Sequence, residues 1–153
     1  MHCRTALLLP NHANRGASFF DDLLQRRLQR LAGERAGLIQ EMERGSENEP
    51  RFIKGDDGVF RFLSRSVASS LYRRCYDDGL VDHDFDWVTW TQSAEYGDLR
   101  GDPTKLQVAS PEQLSRLLTA LVREERFSYG AWAVAVQSGF LVGVVERAAT
   151  LSI

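Results

Sequence analysis

Apolar residues recur every three or four positions along most of the chain, which is the spacing of one helix face. Phe20, Leu24, Leu28 and Leu31 form the first stripe and leave Arg26, Arg27 and Arg30 on its flanks. Ser18 is a residue type that caps helix starts, and Asp21 and Asp22 fall in a first turn, where the helix dipole favours negative charge. The pattern pauses at Gly33 and Gly37, continues weakly to Met42, and gives way to a polar connector at 45–50. Residues 51–62 change period. Phe52 and Ile53 face Val59, Phe60 and Phe62 across a Gly-Asp-Asp-Gly tip, which reads as a small β-hairpin that must lean on the helices.

A second helix is predicted from Ser66, with Val67, Leu71 and Cys75 on its stripe, Arg73 and Arg74 facing water, and Gly79 in position for a left-handed cap. Residues 80–90 read as a connector into a short helix capped by Asp86, with Trp87 and Trp90 on one face. Asp102-Pro103 signals another start, because Asp caps and Pro suits the first helical position. Ser110-Pro111-Glu112-Gln113 is a capping-box sequence ahead of Leu114, Leu117, Leu118, Leu121 and Val122. Ser128 is a candidate cap for a further helix that ends at Ser138-Gly139. The last run, Phe140 to Leu151, reads as a closing helix, with a strand through 141–145 as the alternative. The whole is mainly α: one compact domain over 1–153 of about five to seven helices plus one hairpin near 51–62.

Composition narrows the function classes. With 153 residues, 43% hydrophobic and 26% charged, the chain can bury roughly two thirds of its unfolded surface in one core. A net charge of −2 lacks the basic surplus of a dedicated nucleic-acid binder. Charge is nonetheless segregated. Residues 1–44 carry seven Arg against five acids, whereas 55–102 carry five Arg against ten acids. Cys3 and Cys75 lie far apart without zinc-type spacing, which suits a reducing compartment, and no apolar run approaches a membrane span. The expected location is the cytoplasm.

Several motifs occur in order: FDW-x-x-W at Phe85 to Trp90, Asp102-Pro103, LxxLLTALVREERFSYG from Leu114 to Gly130, and SGFL from Ser138. Over roughly 65–150 they resemble an uncharacterised bacterial family built around a domain of unknown function, which implies a helical core there and no particular activity. Residues 1–45 are then an N-terminal, arginine-bearing helical extension, and a natural place to look for a specialised role.

Asp77, Asp78, Asp82, His83, Asp84 and Asp86 form an acidic knot. Converging carboxylates suit hard cations, and His83 could add a nitrogen, but the spacing matches no calcium loop and Asp is a common cap and turn former. Caps and solvated roles are favoured, no metal or other cofactor is expected, and an acidic protein-binding face is the functional reading. Cys75 with His83 is the nearest nucleophile-base pair, yet Cys75 sits on an apolar stripe, where a thiol packs as a small hydrophobe. Arg123 and Arg126 could fork around an anion; the favoured reading has them cap the preceding helix and pair with acids while Phe127 plugs the corner. Trp87, Trp90 and Trp132 read as core pillars. No catalytic set emerges.

The reading that follows is a non-enzymatic interaction module. Asp77, Asp78, Asp82, Asp84 and Asp86 would form one partner face and Arg26, Arg27 and Arg30 another, with a protein or nucleoprotein complex as partner. One concrete version is a phage or mobile-element inhibitor of a bacterial nucleoprotein complex, of the anti-CRISPR kind, whose acids compete for a basic channel. The alternatives are a small enzyme acting on a nucleotide-like or small anionic substrate, and a weak nucleic-acid-binding protein.

Overall fold

A computed structural model describes residues 14–44, 52–54, 56–57, 60–62, 67–128 and 130–151. The polar connector at 45–50, the segment holding His2, Cys3 and His12, and the start at Ser66 lie outside the described residues. Helix α1 (Asn14–Gln29) runs into a 3-10 turn (Arg30–Glu34) and then α2 (Arg35–Arg44). Because α1 begins at Asn14, Ser18 lies inside the helix and does not cap it. The 3-10 turn sits where Gly33 weakens the α pattern, and the residues on both sides of it, Gln29 and Arg35, keep right-handed helical backbone. Two three-residue strands, β1 (Phe52–Lys54) and β2 (Phe60–Phe62), pair antiparallel with Phe52 opposite Phe62.

The other described elements are helices. Helix α3 (Val67–Asp77) is followed by α4 (Trp87–Thr91), α5 (Ala94–Gly101), α6 (Pro103–Leu106), α7 (Pro111–Phe127), α8 (Ala131–Gln137) and α9 (Phe140–Ala149). The count exceeds the five to seven expected, because the span between α3 and α7 holds three short helices. Helix α5 was not anticipated. Its cap is Ser93, whose side chain accepts the Tyr96 amide. The starts at Asp86, Asp102 and Ser110 each carry their side-chain cap. At Ser110 the box is complete: its hydroxyl accepts the Gln113 amide at 3.1 Å, and the Gln113 side chain accepts the Ser110 amide at 2.9 Å. The final run is helix α9 rather than a strand.

Helices α1, α2 and the 3-10 turn pack on α7, α8 and α9. Leu28, Leu31 and Leu38 are fully buried in the same apolar cluster as Leu71, Leu114, Leu117, Leu121, Trp132, Leu141 and Val145. The described part of the N-terminal region is therefore core, not an appendage. The Gln29 side-chain amide donates to the Leu151 carbonyl, joining the end of α1 to the end of the described chain. Helix α3 starts on the Glu41 carboxylate, which accepts the Val67 amide. Gly37 lets α2 and α3 close on each other, since a Cβ there would lie 2.5 Å from a Val67 methyl.

Candidate functional site

Helix α3 ends at Gly79, whose φ of +69° suits a residue without a Cβ. The connector that follows is fastened to α7 by two buried hydroxyls. Ser115 donates to the Leu80 carbonyl at 2.7 Å, and the Thr119 hydroxyl accepts the Asp82 amide at 2.9 Å. This clamp sets His83 against the next turns of α7. The Arg123 guanidinium lies 3.1 Å from His83 Nδ1, and because Arg keeps its protons, Nδ1 is the acceptor. One turn on, Arg126 lies over the Tyr76 ring at 5.5 Å. Tyr76 also approaches the His83 ring, with centroids 6.2 Å apart, and meets Tyr72 edge-on at 5.9 Å. Burial, then the neighbouring Tyr76, pushes the Tyr72 hydroxyl up to about 12.

Phe127 does not plug the corner as expected. It is 81% exposed and stacks on half-buried Trp87, with centroids 6.0 Å apart. Trp90 and Trp132 are buried in the core, as their spacing suggested. Nor does Ser128 cap the helix after α7. Helix α8 begins at Gly130, with φ +95°, and its amides are met by Glu125, whose carboxylate accepts from Gly130 at 3.1 Å and from Trp132 at 2.7 Å. Burial raises the Glu125 carboxyl above the ordinary glutamate range despite these hydrogen bonds. The sequence offers Ser128 as the cap, but Glu125, five residues ahead of Gly130, supplies it from the preceding helix.

The acidic knot is spread over separate tasks. Asp78 accepts from Arg74 at 3.1 Å, Asp82 accepts the Asp84 amide at 3.1 Å, and Asp86 accepts both the amide and the hydroxyl of Thr89. The hydroxyl of Thr89, with its amide, holds the Asp86 carboxyl below the usual range. Asp77, Asp82, Asp84 and Asp86 are exposed along one connector. Among the described residues, no three His, Cys, Asp or Glu side chains come together as a metal site. Cys75 is fully buried, and burial pushes its thiol up to about 12, so it carries no thiolate at neutral pH.

The basic helix is less free than its pattern suggested. Arg26 and Arg30 are exposed, but Arg27 is half-buried over Gly79, where its guanidinium nitrogen would sit 2.7 Å from an added Cβ. Arg74 does not face water either: it bridges Glu34 and Asp78. A separate open cavity of about 370 Å³ lies by α8, lined in part by Arg100, Glu124, Gly130 and Gln137.

A model of a family of unknown function matches residues 22–153. The chain belongs to DUF6508. The DUF6508 match reaches well ahead of the 65–150 span suggested by the motifs, and so takes in Arg26, Arg27 and Arg30 together with the buried Leu28, Leu31 and Leu38. It also takes in every residue of the His83–Arg123–Arg126 cluster. Comparison with curated proteins and with solved structures finds no match. No helix among the described residues is long and apolar enough to cross a membrane.

Proposed function

We propose that this DUF6508 protein is a non-enzymatic docking module that binds another macromolecule through the face shared by the 77–87 connector and the last turns of α7. The observation that carries this reading is the exposed Phe127 stacked on Trp87, next to Arg126 and one turn from Arg123 on α7, while the connector fastened to that helix bears exposed acids. Aromatic and Arg side chains are the residue types that dominate binding energy at protein interfaces, and charges of both signs around them set register. Side chains that would otherwise carry chemistry have structural partners: Glu125 holds α8, Asp86 holds α4, and Cys75 is packed. A protein, alone or within a nucleoprotein complex, suits this mixed surface better than bare nucleic acid does.

A finer version has Asp77, Asp82, Asp84 and Asp86 imitate phosphates and occupy a basic channel of a bacterial nucleoprotein complex, as an inhibitor of the anti-CRISPR kind would. The reduced Cys75 thiol suits a cytoplasmic setting for such a role. Immobilised full-length protein and its Phe127→Asp and Asp82→Lys/Asp84→Lys variants, each checked for an unchanged melting temperature, test the reading against bacterial lysate. A specific partner should be retained by wild type and by Lys105→Glu, and lost by both face variants. Equal capture by all four proteins, or no stoichiometric partner at low and high salt, rules the docking face out.

A further inference from the structure

We infer that Arg123, Arg126 and His83 form a receptor for a phosphoryl oxyanion. The site lies within the proposed docking face but needs no protein partner, so a small anion in solution tests it separately. Among the described residues, four cations rest on carboxylates: Arg35 on Glu146, Arg74 on Glu34 and Asp78, Lys105 on Asp98, and Arg116 on Glu112. Arg123 and Arg126 do not. Arg123 meets the imidazole of His83, Arg126 lies over the ring of Tyr76 and reaches the Tyr72 hydroxyl, and among the described residues neither is paired with a carboxylate.

Three of the nearby carboxylates are turned elsewhere. Glu125 is turned onto the amides of α8, Glu124 lines the cavity beside Arg100, and Asp82 is held by the Asp84 amide. Two guanidinium groups are thus left on one side of α7 with no carboxylate paired to them among the described residues. Being three residues apart, they project about 5–6 Å from each other at the Cβ atoms, close enough for both forks to grip a single tetrahedral anion.

His83 adds a donor. Since Nδ1 accepts from Arg123, Nε2 carries the ring proton and can be offered to an oxyanion. The Tyr76 ring lies against both His83 and Arg126 and so holds the two in one cluster. A phosphoryl group, with three strongly accepting oxygens and close to two negative charges, matches two fixed cations and one neutral donor better than a carboxylate does. Phe127, one turn beyond Arg123, offers an open aromatic face beside the site, so that an aromatic group carried by the phosphate could stack there.

Calorimetric titration of the full chain at low ionic strength, with inorganic phosphate and with adenosine monophosphate, provides the test. Both should bind saturably at one site, and Arg123→Gln/Arg126→Gln should weaken both by at least about tenfold, as expected for losing charge-assisted hydrogen bonds. Lys105→Gln should change neither. Phe127→Ala should weaken the nucleotide alone, identifying a nucleotide-type ligand; equal affinities in wild type would keep the receptor and assign recognition to the phosphoryl group by itself. Arg126→Gln, which alters one exposed side chain, decides the matter if the double variant loses its fold. Absence of saturable binding in wild type, or undiminished binding in the folded variants, overturns the assignment. Failure of the wild type to capture any partner, with phosphate binding intact, would count against the docking face and not against this site.

Discussion

Glu125 shows how far one side chain can govern a corner of this molecule. It is only 5% exposed, yet it receives the first amides of α8, so its removal strands buried donors. Glu125→Ala should cost about 1–3 kcal/mol, the range for buried groups left unsatisfied, measured by urea unfolding. Its raised carboxyl has a further consequence. The folded state holds the proton more tightly than the unfolded state, so ionisation opposes folding at neutral pH, and that penalty lifts as pH falls through the window between the raised folded value and the ordinary 4.5. Wild type should therefore gain stability relative to Glu125→Gln between pH 7 and pH 4.5; a difference that stays flat, or moves the other way, removes burial as the dominant influence. Nothing local in the sequence announces this role, because a cap donated from the end of one helix to the start of the next needs the corner at Gly130 to bring the two together.

At the scale of elements, what was legible were the starts and stripes, since both are governed by neighbours three or four residues away. Ser110 and Gln113 form the box their spacing implies, and Leu114, Leu117, Leu118 and Leu121 are all buried. Ser110→Ala should lower stability by roughly 1 kcal/mol, read as a shift in the urea midpoint. Other features were hidden because they are set by contacts between elements. Ser18 looked like a cap only because the helical turn before it contains Gly16 and gives little apolar signal. Arg74 looked solvent-facing on its own helix, but the approach of the 3-10 turn brings Glu34 to it. Gly37 makes the same point in the opposite direction. Alanine there improves helix propensity by about 1 kcal/mol, yet its methyl would press into Val67. We expect Gly37→Ala to destabilise, and a stabilised variant would show that α2 and α3 can separate at little cost.

Across the whole molecule, the candidate site was readable as a set of residues but not as a constellation. Arg123, Arg126, His83 and the acids all stood out in the sequence, yet only the Ser115 and Thr119 hydroxyls reveal which of them meet, because they pull residues 80–82 onto α7. Phe127 gave the wrong expectation for a similar reason: its place after a leucine-rich stripe suggested burial, whereas α7 has by then run past the core. The N-terminal helices also change meaning at this scale. With Leu28, Leu31 and Leu38 interlocked with α7 and α9, a fragment beginning at residue 65 should fail to fold, giving neither cooperative thermal unfolding nor the near-ultraviolet dichroism of packed tryptophans. A folded fragment would mean that those leucines merely cover a core that is complete without them.

Cys75 turns the packed centre into a clock. With Cys3 replaced by Ser, the remaining thiol is inaccessible to thiol reagents until the helices around it come apart, so the rate of labelling under native conditions reads the opening of the molecule directly. Changes on the docking face should leave that clock untouched, whereas Gly37→Ala should make it run faster.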